Sequence, residues 1–302
     1  MVSTCARDTP HPRNRQGPPA TTRTGHVTPD YEIPPAQAGK LLVELTAIVA
    51  RACAVIRTLS AASVSHRLKP DQSPVTAADE ASEAEILQGL ARLLPGVPVV
   101  SEEMAGAKAP PALGRSFVMV DPLDGTKEFL AGSDQFTVNL AIVTGGVPIA
   151  GIVAAPNRGQ LWRGIVGDKA ERLRLLPEGA DQPQPIRTRR WPSPGAVAAV
   201  SRSHLDPNTV AFLDRLSPIT RQPSGSAIKF CQIAEGAIDV YPRLATTCEW
   251  DVAAGHALVV AAGGIVTSPQ GTALPYGRVA ENFRVPAFIA WGDPAKAASV
   301  AS

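Results

Sequence analysis

The sequence predicts a mixed α and β protein of two lobes, the first of the α+β class and the second of the α/β class. Residues 36–60 carry apolar side chains at three- and four-residue spacings, the pattern of a long amphipathic helix. Short apolar runs separated by Gly and Pro turns follow over residues 97–167, as in hairpin-linked strands. From residue 196, apolar runs alternate with helical segments, which favours a layer with partly parallel strands.

In the first lobe, the polar segment after the long helix leads to a second helix that Thr76 or Asp79 can cap and that ends near residue 94. The run at 97–101 predicts a short buried strand that delivers Glu102 and Glu103 at its end. A second strand, 116–121, ends on Asp121. Three further strands are predicted, at 136–143, 147–156 and 159–167.

Five prolines between residues 167 and 194 predict a loop-rich crossing between the lobes. In the second lobe the predicted strands lie at 196–201, 219–221, 237–242, 264–268 and 286–292, and the helices at 206–216, 226–235 and 251–262. The predicted organisation is a disordered, proline-rich tail at 1–30, an α+β lobe with a metal site at 31–190 and an α/β lobe with specificity residues at 191–302.

Composition narrows the function classes. Among 302 residues, 29 Lys and Arg stand against 27 Asp and Glu, so the net charge of +2 gives no bulk basic field for binding nucleic acid. No apolar run reaches the length that spans a bilayer, residues 1–30 lack the apolar segment of a secretory signal, and the four cysteines show no metal-binding spacing. A cytoplasmic protein without a membrane or nucleic-acid partner is expected.

The stretch from residue 120 to 139 is the centre of the functional prediction. Asp121 leaves an apolar strand, Pro122 bends the chain, and Asp124 is brought round to the same side. Two converging carboxylates repel each other unless a cation lies between them, and hard oxygen ligands, with the Leu123 carbonyl, suit Mg²⁺. The amides of Gly125 and Thr126 can face an anion if they open a helix. An Asp-rich type I turn is the alternative.

Three more carboxylates favour the metal site over the turn. Glu102 follows a short strand, Asp251 lies at the head of an Ala- and Gly-rich helix, and Asp79 follows a hydroxyl-rich turn. Together with the Gly-Thr pair, they indicate metal-assisted hydrolysis of a phosphoester.

Four segments in order, 69–79, 98–103, 120–129 and 248–255, resemble the Mg²⁺-dependent, lithium-inhibited inositol monophosphatase superfamily. Within it the likeness is greatest to the CysQ-type 3'(2'),5'-bisphosphate nucleotidases. The resemblance covers about residues 36–292 and implies a layered αβαβα sandwich of two lobes. Members are often dimers, so a homodimer is implied, whereas the tail at 1–30 has no counterpart in the family.

The resemblance also implies roles for individual residues. Two or three Mg²⁺ ions would be held by the predicted metal ligands, which are Glu102, Asp121, the Leu123 carbonyl, Asp124 and Asp251. Thr126 and Asp79 would form a dyad that, with Glu102, orients and deprotonates the attacking water. The Gly125 and Thr126 amides would hold the scissile phosphate.

The sequence features that point to a particular substrate are less specific than those of the metal site. The Lys127-Glu128 pair resembles the pattern of the nucleotidases, and so do three segments of the second lobe. The residues in them that the resemblance implies as contacts to the nucleotide and its second phosphate are His204, Ser226, Lys229 and Arg243. Lys229 and Arg243 suit a phosphate that lies away from the metals. Three of these residues also have a purely structural explanation. His204 could be a histidine whose hydrogen bonds are met within the protein, Lys229 a solvated lysine, and Arg243 the end of a strand.

The leading hypothesis is a phosphatase that hydrolyses the 3'-phosphate of adenosine 3',5'-bisphosphate, and of its sulfated precursor, to AMP-type products, as in sulfate assimilation. A small phosphorylated nucleotide is therefore the expected partner. The alternatives are an inositol or fructose bisphosphate phosphatase with the same metals, and an inactive phosphate-binding regulator. Every matched ligand position holds a carboxylate, which speaks against the regulator.

Overall fold

The structure, a computed structural model, describes residues 31–59, 66–68, 74–105, 113–202 and 205–301. The predicted disordered tail at 1–30 lies outside the described residues. The helices are α1 (Pro35–Thr58), α2 (Ala77–Leu93), α3 (Glu102–Ala105), α4 (Thr126–Leu130), α5 (Pro207–Arg215), α6 (Ile228–Ala234), α7 (Glu249–Ala261) and α8 (Pro294–Ala301).

The strands of the first half of the chain are β1 (His66–Leu68), β2 (Pro74–Thr76), β3 (Val99–Ser101), β4 (Ser116–Asp124), β5 (Thr137–Thr144), β6 (Val147–Ala155), β7 (Gln160–Ile165), β8 (Lys169–Leu176) and β9 (Gly179–Pro185). Those of the second half are β10 (Ala196–Ser201), β11 (Ile219–Ser224), β12 (Val240–Arg243), β13 (Thr247–Cys248), β14 (Ile265–Thr267), β15 (Arg284–Val285) and β16 (Phe288–Trp291).

Two sheets organise these elements. Strands β3 to β9 form a seven-stranded sheet in sequence order, in which β3 and β4 are parallel and the later neighbours antiparallel. The second sheet has the order β11-β10-β12-β16-β14, and β10 is parallel to both β11 and β12. The prediction of a partly parallel second layer is therefore confirmed.

Three clusters of buried apolar side chains lie between helices and sheets, and together they define five layers. Helices α1 and α2 cover one face of the seven-stranded sheet. Helices α6 and α7 fill the space between the two sheets. Helices α5 and α8 cover the outer face of the five-stranded sheet. This αβαβα order confirms the predicted fold class, while the lobe boundaries at 190 and 191 remain a prediction.

The segment 167–194 is where the sequence prediction was wrong. In place of a loop-rich crossing, β8 and β9 extend the sheet as an antiparallel pair. Alternation along β8 buries Ala170, Leu173 and Leu175. Pro183 and Pro185 lie on β9 at the edge of the sheet, where a strand has a free side and a missing N–H is tolerated. The prolines therefore mark an edge strand.

Strand β4 also differs from the prediction, because it continues past Asp121 to Asp124. Its pairing with β5 shifts register between these two aspartates, so that Asp121 lies opposite Asn139 and Asp124 opposite Thr137. An irregularity of this kind changes the direction in which side chains point. Both carboxylates are thereby held on one strand instead of on a strand and a loop.

Helix α7 packs closely against the sheet that it covers. Apart from Glu249, Asp251 and His256 its side chains are apolar, and it is buried on all sides, as expected for a helix between two layers. A Cβ atom added to Gly151 of β6 would lie 2.2 Å from the carbonyl oxygen of Ala254, and one added to Gly255 would lie 2.3 Å from the Phe230 ring. These glycines let the helix that carries Asp251 approach the strands that carry the other carboxylates.

Replacing Gly151 with alanine should therefore destabilise the protein by about 1–3 kcal/mol, the usual cost of overpacking. The free energy of unfolding measured in urea would show this. Gly179→Ala is the matched control, because an added Cβ there has no atom within 4 Å. Equal stability of the two variants would contradict the close approach of α7.

Candidate active site

The predicted functional residues meet in a cleft of about 240 Å³ between the two sheets. Its walls are the end of β4 with the start of α4, the start of α7, the end of β12 and the turn before α6. The cleft residues that the sequence predicted are Glu102, Asp121, Leu123, Asp124, Gly125, Thr126, Ser226, Lys229, Arg243 and Asp251.

Three carboxylates form a compact acidic cluster. One oxygen from each of Glu102, Asp121 and Asp251 lies within 4.8 Å of the other two. They come from separate elements, since Glu102 opens α3, Asp121 lies on β4 and Asp251 is in the first turn of α7. Glu102 and Asp251 are 149 residues apart along the chain (251 − 102). The fold therefore brings these three positions together, as predicted.

Asp121 has the most unfavourable environment of the three. It is 1% exposed, and its Oδ2 atom has no hydrogen-bond partner among the described residues. Its Oδ1 atom accepts a bond from the Leu123 amide at 3.1 Å. Burial, followed by the negative charges of Glu102 and Asp124, raises the pKa of Asp121 well above its usual range. An unpartnered carboxylate oxygen among acidic groups is the environment that a bound cation relieves.

Asp251 is held in place by the start of its own helix. Its Oδ2 atom accepts a hydrogen bond from the Cys248 amide at 3.1 Å and another from the Thr247 hydroxyl. This is a capping box, in which the third residue of the helix bonds back to the residue before the helix. The cap fixes the rotamer that directs the carboxylate to the cleft.

Asp79 occupies the same position in α2. Its Oδ2 atom accepts from the Thr76 amide at 2.8 Å and from the Thr76 hydroxyl at 2.6 Å. The sequence left open whether Thr76 or Asp79 caps this helix, and both take part in one capping box. The Oδ1 atom of Asp79 accepts from the Thr126 hydroxyl at 3.0 Å, so the predicted pair is in contact.

The turn after β4 brings Thr126 to this position. Gly125 has a φ of 94°, a left-handed conformation that suits glycine, and α4 begins at the next residue, as predicted. The Thr126 hydroxyl also lies 3.3 Å from the Leu123 carbonyl oxygen, but its single proton is better placed for Asp79. The lone pairs of the hydroxyl oxygen are then available to a third group.

Asp124 is set apart from the acidic cluster by neutral partners. Its Oδ2 atom accepts a 2.7 Å bond from the Ser226 hydroxyl, and Thr137 Oγ1 and Asn139 Nδ2 each lie 3.5 Å away. Burial and then the charge of Asp251 raise the pKa of Asp124, against the opposing effect of Lys229. The predicted nucleotide contact Ser226 is therefore also a direct neighbour of a predicted metal ligand.

Lys229 is buried, at 3% exposure, and is not a solvated lysine. Its Nζ atom donates to the carbonyl oxygens of Ser224, at 3.2 Å, and Ser226, at 2.5 Å, and lies 5.1 Å from the Tyr241 ring centre. The charge is thus placed beside the cleft, with part of its donor capacity used to hold the turn.

Arg243 ends β12, as its structural explanation predicts, and also lines the cleft. Its Nε atom is buried without a hydrogen-bond partner among the described residues. A buried, unpaired guanidinium donor is costly unless a ligand accepts from it. His204, the remaining predicted contact, lies outside the described residues.

Sequence reasoning missed Thr137 and Asn139, which lie on β5 opposite the two aspartates of β4. Both are buried, and Asn139 Oδ1 has no hydrogen-bond partner among the described residues. Polar side chains at alternate positions of an otherwise apolar strand, next to a motif with two aspartates, were the signal that was available.

The donor set fits Mg²⁺, which takes oxygen ligands with near-octahedral geometry and retains water. The cluster of Glu102, Asp121 and Asp251 supplies three carboxylates, and Asp121 Oδ2, which has no partner within the described part of the chain, supplies an atom in need of a cation. The number of ions remains a prediction.

Among the described residues, no helix combines the length and apolar character required to cross a bilayer.

In metal-free protein at pH 7, Asp121→Asn should raise the free energy of unfolding, because the amide removes a buried negative charge from among neighbouring carboxylates. Because the pKa of Asp121 is raised in the folded state, the folded protein binds this proton more tightly than the unfolded chain. Wild-type stability in EDTA should accordingly fall as pH rises from the ordinary aspartate range, and the variant should show a smaller fall.

Added Mg²⁺ should reverse the order, since it stabilises the wild type by binding the folded state and the variant has lost a ligand. Thermal unfolding with EDTA and with Mg²⁺ measures both effects. Asp168→Asn, at an exposed position, is the control for loss of one charge. A variant that is less stable than the wild type in EDTA would contradict the assigned repulsion.

The chain resembles known proteins over most of its length. Residues 39–293 match the model of the inositol monophosphatase family. Over 220 residues the chain is 40% identical to the 3'(2'),5'-bisphosphate nucleotidase CysQ of Salmonella typhimurium, a match that covers 73% of this chain and 86% of that protein. It is also 33% identical to the histidinol-phosphatase of Mycobacterium tuberculosis, over 69% of this chain and 79% of that one.

Solved structures agree. CysQ from Bacteroides thetaiotaomicron has a TM-score of 0.69 and 31% identity, and the match covers 84% of this chain and 97% of that one. An inositol monophosphatase from Thermotoga maritima has the same TM-score at 20% identity, over 87% and 96% of the two chains, and supports the fold alone. The prediction of an enzyme with phosphatase function is confirmed, and the chain belongs to the inositol monophosphatase family.

Proposed function

We propose that the protein is a Mg²⁺-dependent 3'(2'),5'-bisphosphate nucleotidase. It would hydrolyse the 3'-phosphate of adenosine 3',5'-bisphosphate to AMP and phosphate, act also on the sulfated precursor, and serve sulfate assimilation. The observation that carries the proposal is the composition of one cleft. An acidic cluster around Asp121 lines the same space as two cations, the buried Lys229 and the half-buried Arg243. A substrate with two separated phosphates matches both parts of it.

The residues of the chain have complementary parts in this reaction. When bound, Mg²⁺ would lower the pKa of water and neutralise charge on the phosphoryl oxygens. The Thr126 hydroxyl, which donates a hydrogen bond to Asp79, would take one proton from the attacking water as its own proton passes to Asp79. Glu102 would accept a hydrogen bond from the other O–H of that water, which stays on the oxygen as it attacks phosphorus. The capping box of α2 holds Asp79, so the dyad is oriented before substrate arrives.

The second phosphate is assigned to the cations. The Nε donor of Arg243 has no partner among the described residues, and Lys229 offers a buried charge with one donor beyond its two carbonyl bonds. Charge-assisted bonds of this kind are among the strongest that a site can make with a phosphate. The relatives named 3'(2'),5'-bisphosphate nucleotidase support the same substrate class.

Purified protein with Mg²⁺ should release phosphate faster from adenosine 3',5'-bisphosphate than from inositol monophosphate, fructose 1,6-bisphosphate or histidinol phosphate. The last of these is included because of the relative at 33% identity. Asp124→Asn should abolish turnover while the folded state persists, because the change removes a ligand and leaves core packing intact. A faster rate with any of the other three substrates, or full activity of the variant, would contradict the proposal.

Arg243→Met should lower kcat/KM for adenosine 3',5'-bisphosphate by roughly 10- to 100-fold, as expected for loss of a hydrogen bond to a charged group. The value for 3'-AMP, which lacks the second phosphate, should change little. Arg221→Met is the control. Arg221 lies on the edge strand β11, is exposed, and forms an ion pair with Asp214 of α5. Equal losses for both substrates would show that Arg243 does not bind the second phosphate.

A further inference from the structure

The partners of Asp124 form a chain of hydroxyl groups that joins the two sheets. Thr137 lies opposite Asp124 in the β4–β5 pairing and is fully buried. Its hydroxyl is hydrogen-bonded to the hydroxyl of Ser226, which belongs to the turn between β11 and α6, 89 residues further along the chain. Ser226 in turn bonds to Asp124.

The number of protons available fixes the direction of these bonds. A hydroxyl has one proton, and an ionised carboxylate has none to donate. The proton of Ser226 is committed to Asp124 Oδ2, at 2.7 Å, which is much closer than the 3.5 Å from Thr137 to the same oxygen. Thr137 therefore donates to Ser226, whose oxygen also accepts from the Ala227 amide at 2.6 Å. With one donated and two accepted bonds, the Ser226 hydroxyl is saturated.

The backbone of the turn is also constrained. Ser226 has a φ of 54°, a left-handed conformation that is uncommon for residues other than glycine. The carbonyl groups of Ser224 and Ser226 are held by Lys229 Nζ, and the Gly225 amide donates to the Gln135 side chain at 2.8 Å. A strained residue held from several sides is characteristic of a functional site.

We propose that Thr137 and Ser226 are positioning residues, which act through a hydroxyl relay, Thr137 to Ser226 to Asp124, that fixes the orientation of the Asp124 carboxylate for Mg²⁺. Thr137 is fixed in the rigid core of the sheet, and Ser226 transmits that position to Asp124 from the opposite side of the cleft. Hydrogen bonds to metal-binding carboxylates commonly serve this purpose. The inference rests on the proposed function, because it requires Asp124 to bind the metal.

The relay also changes the role expected for Ser226. The resemblance implied that this residue contacts the nucleotide. Since its hydroxyl proton is used by Asp124, a contact through that proton would release the carboxylate. Ser226 therefore serves the reaction through Asp124, and Lys229 contributes by holding the turn in which Ser226 lies.

Calorimetric titration of the metal-free protein with Mg²⁺ tests the relay without relying on activity. Thr137→Val keeps the branched shape and removes the proton, and it should raise the Kd for Mg²⁺ by roughly tenfold or more. Thr137→Ser retains the hydroxyl and should restore binding close to the wild-type value. Ser226→Ala, outside the core of the sheet, should weaken binding as Thr137→Val does and gives a second test if the latter fails to fold.

Thr144→Val is the matched control. Thr144 lies on the same strand, and its hydroxyl bonds to the Ile33 carbonyl at 2.9 Å and to Ser116 at 2.8 Å, at the end of β5 away from Asp124. This variant should unfold at a lower Tm than the wild type and keep the wild-type Kd for Mg²⁺.

Wild-type affinity in both Thr137→Val and Ser226→Ala, with normal binding by the wild type, would overturn the relay alone. Equal weakening in Thr137→Val and Thr137→Ser would also overturn it, because packing and not the hydroxyl would then be responsible. A wild-type protein that fails to bind Mg²⁺ would overturn the proposed function and this inference together.

Discussion

The repulsion between buried carboxylates is the constraint on which the centre of this molecule depends. Asp121 is almost completely buried, one of its oxygens has no partner among the described residues, and Glu102 and Asp251 lie close by. Such a group costs free energy unless a cation neutralises it. The close packing of α7 against Gly151 holds the carboxylates together despite that cost. Stability is given up locally for a site that is ready for a metal.

Helix starts connect the fold to this site. Asp79 and Asp251 are each the third residue of a helix, and each accepts a bond from the backbone amide of the residue before that helix. Capping boxes of this kind stabilise helices by satisfying amides that have no partner within the helix. Here Asp251 also lines the cleft, and Asp79 contacts the Thr126 hydroxyl that lines it, so forming α2 and α7 fixes two functional side chains. Neither side chain needs a separate loop to orient it.

Much of the cleft was predictable because its acidic residues follow strands or open helices, where periodicity marks the boundaries. Thr137 and Asn139 were not found, since they lie inside an apolar strand and their role appears only in the register with β4. The contact between Thr137 and Ser226 joins positions 89 residues apart, which no local pattern encodes. Prolines concealed β9 because their effect depends on whether a strand lies at an edge, and that is a property of the whole sheet.

The proposed chemistry requires a divalent cation between the carboxylates of Glu102, Asp121 and Asp251. Crystals soaked with Mn²⁺ in place of Mg²⁺ would test this most directly, through an anomalous difference map. We expect a strong peak at inner-sphere distance, roughly 2.1 Å for Mg²⁺-type coordination, from an oxygen of each of the three residues. A map in which Mn²⁺ lies elsewhere, or in which these carboxylates are bridged by water alone, would contradict it.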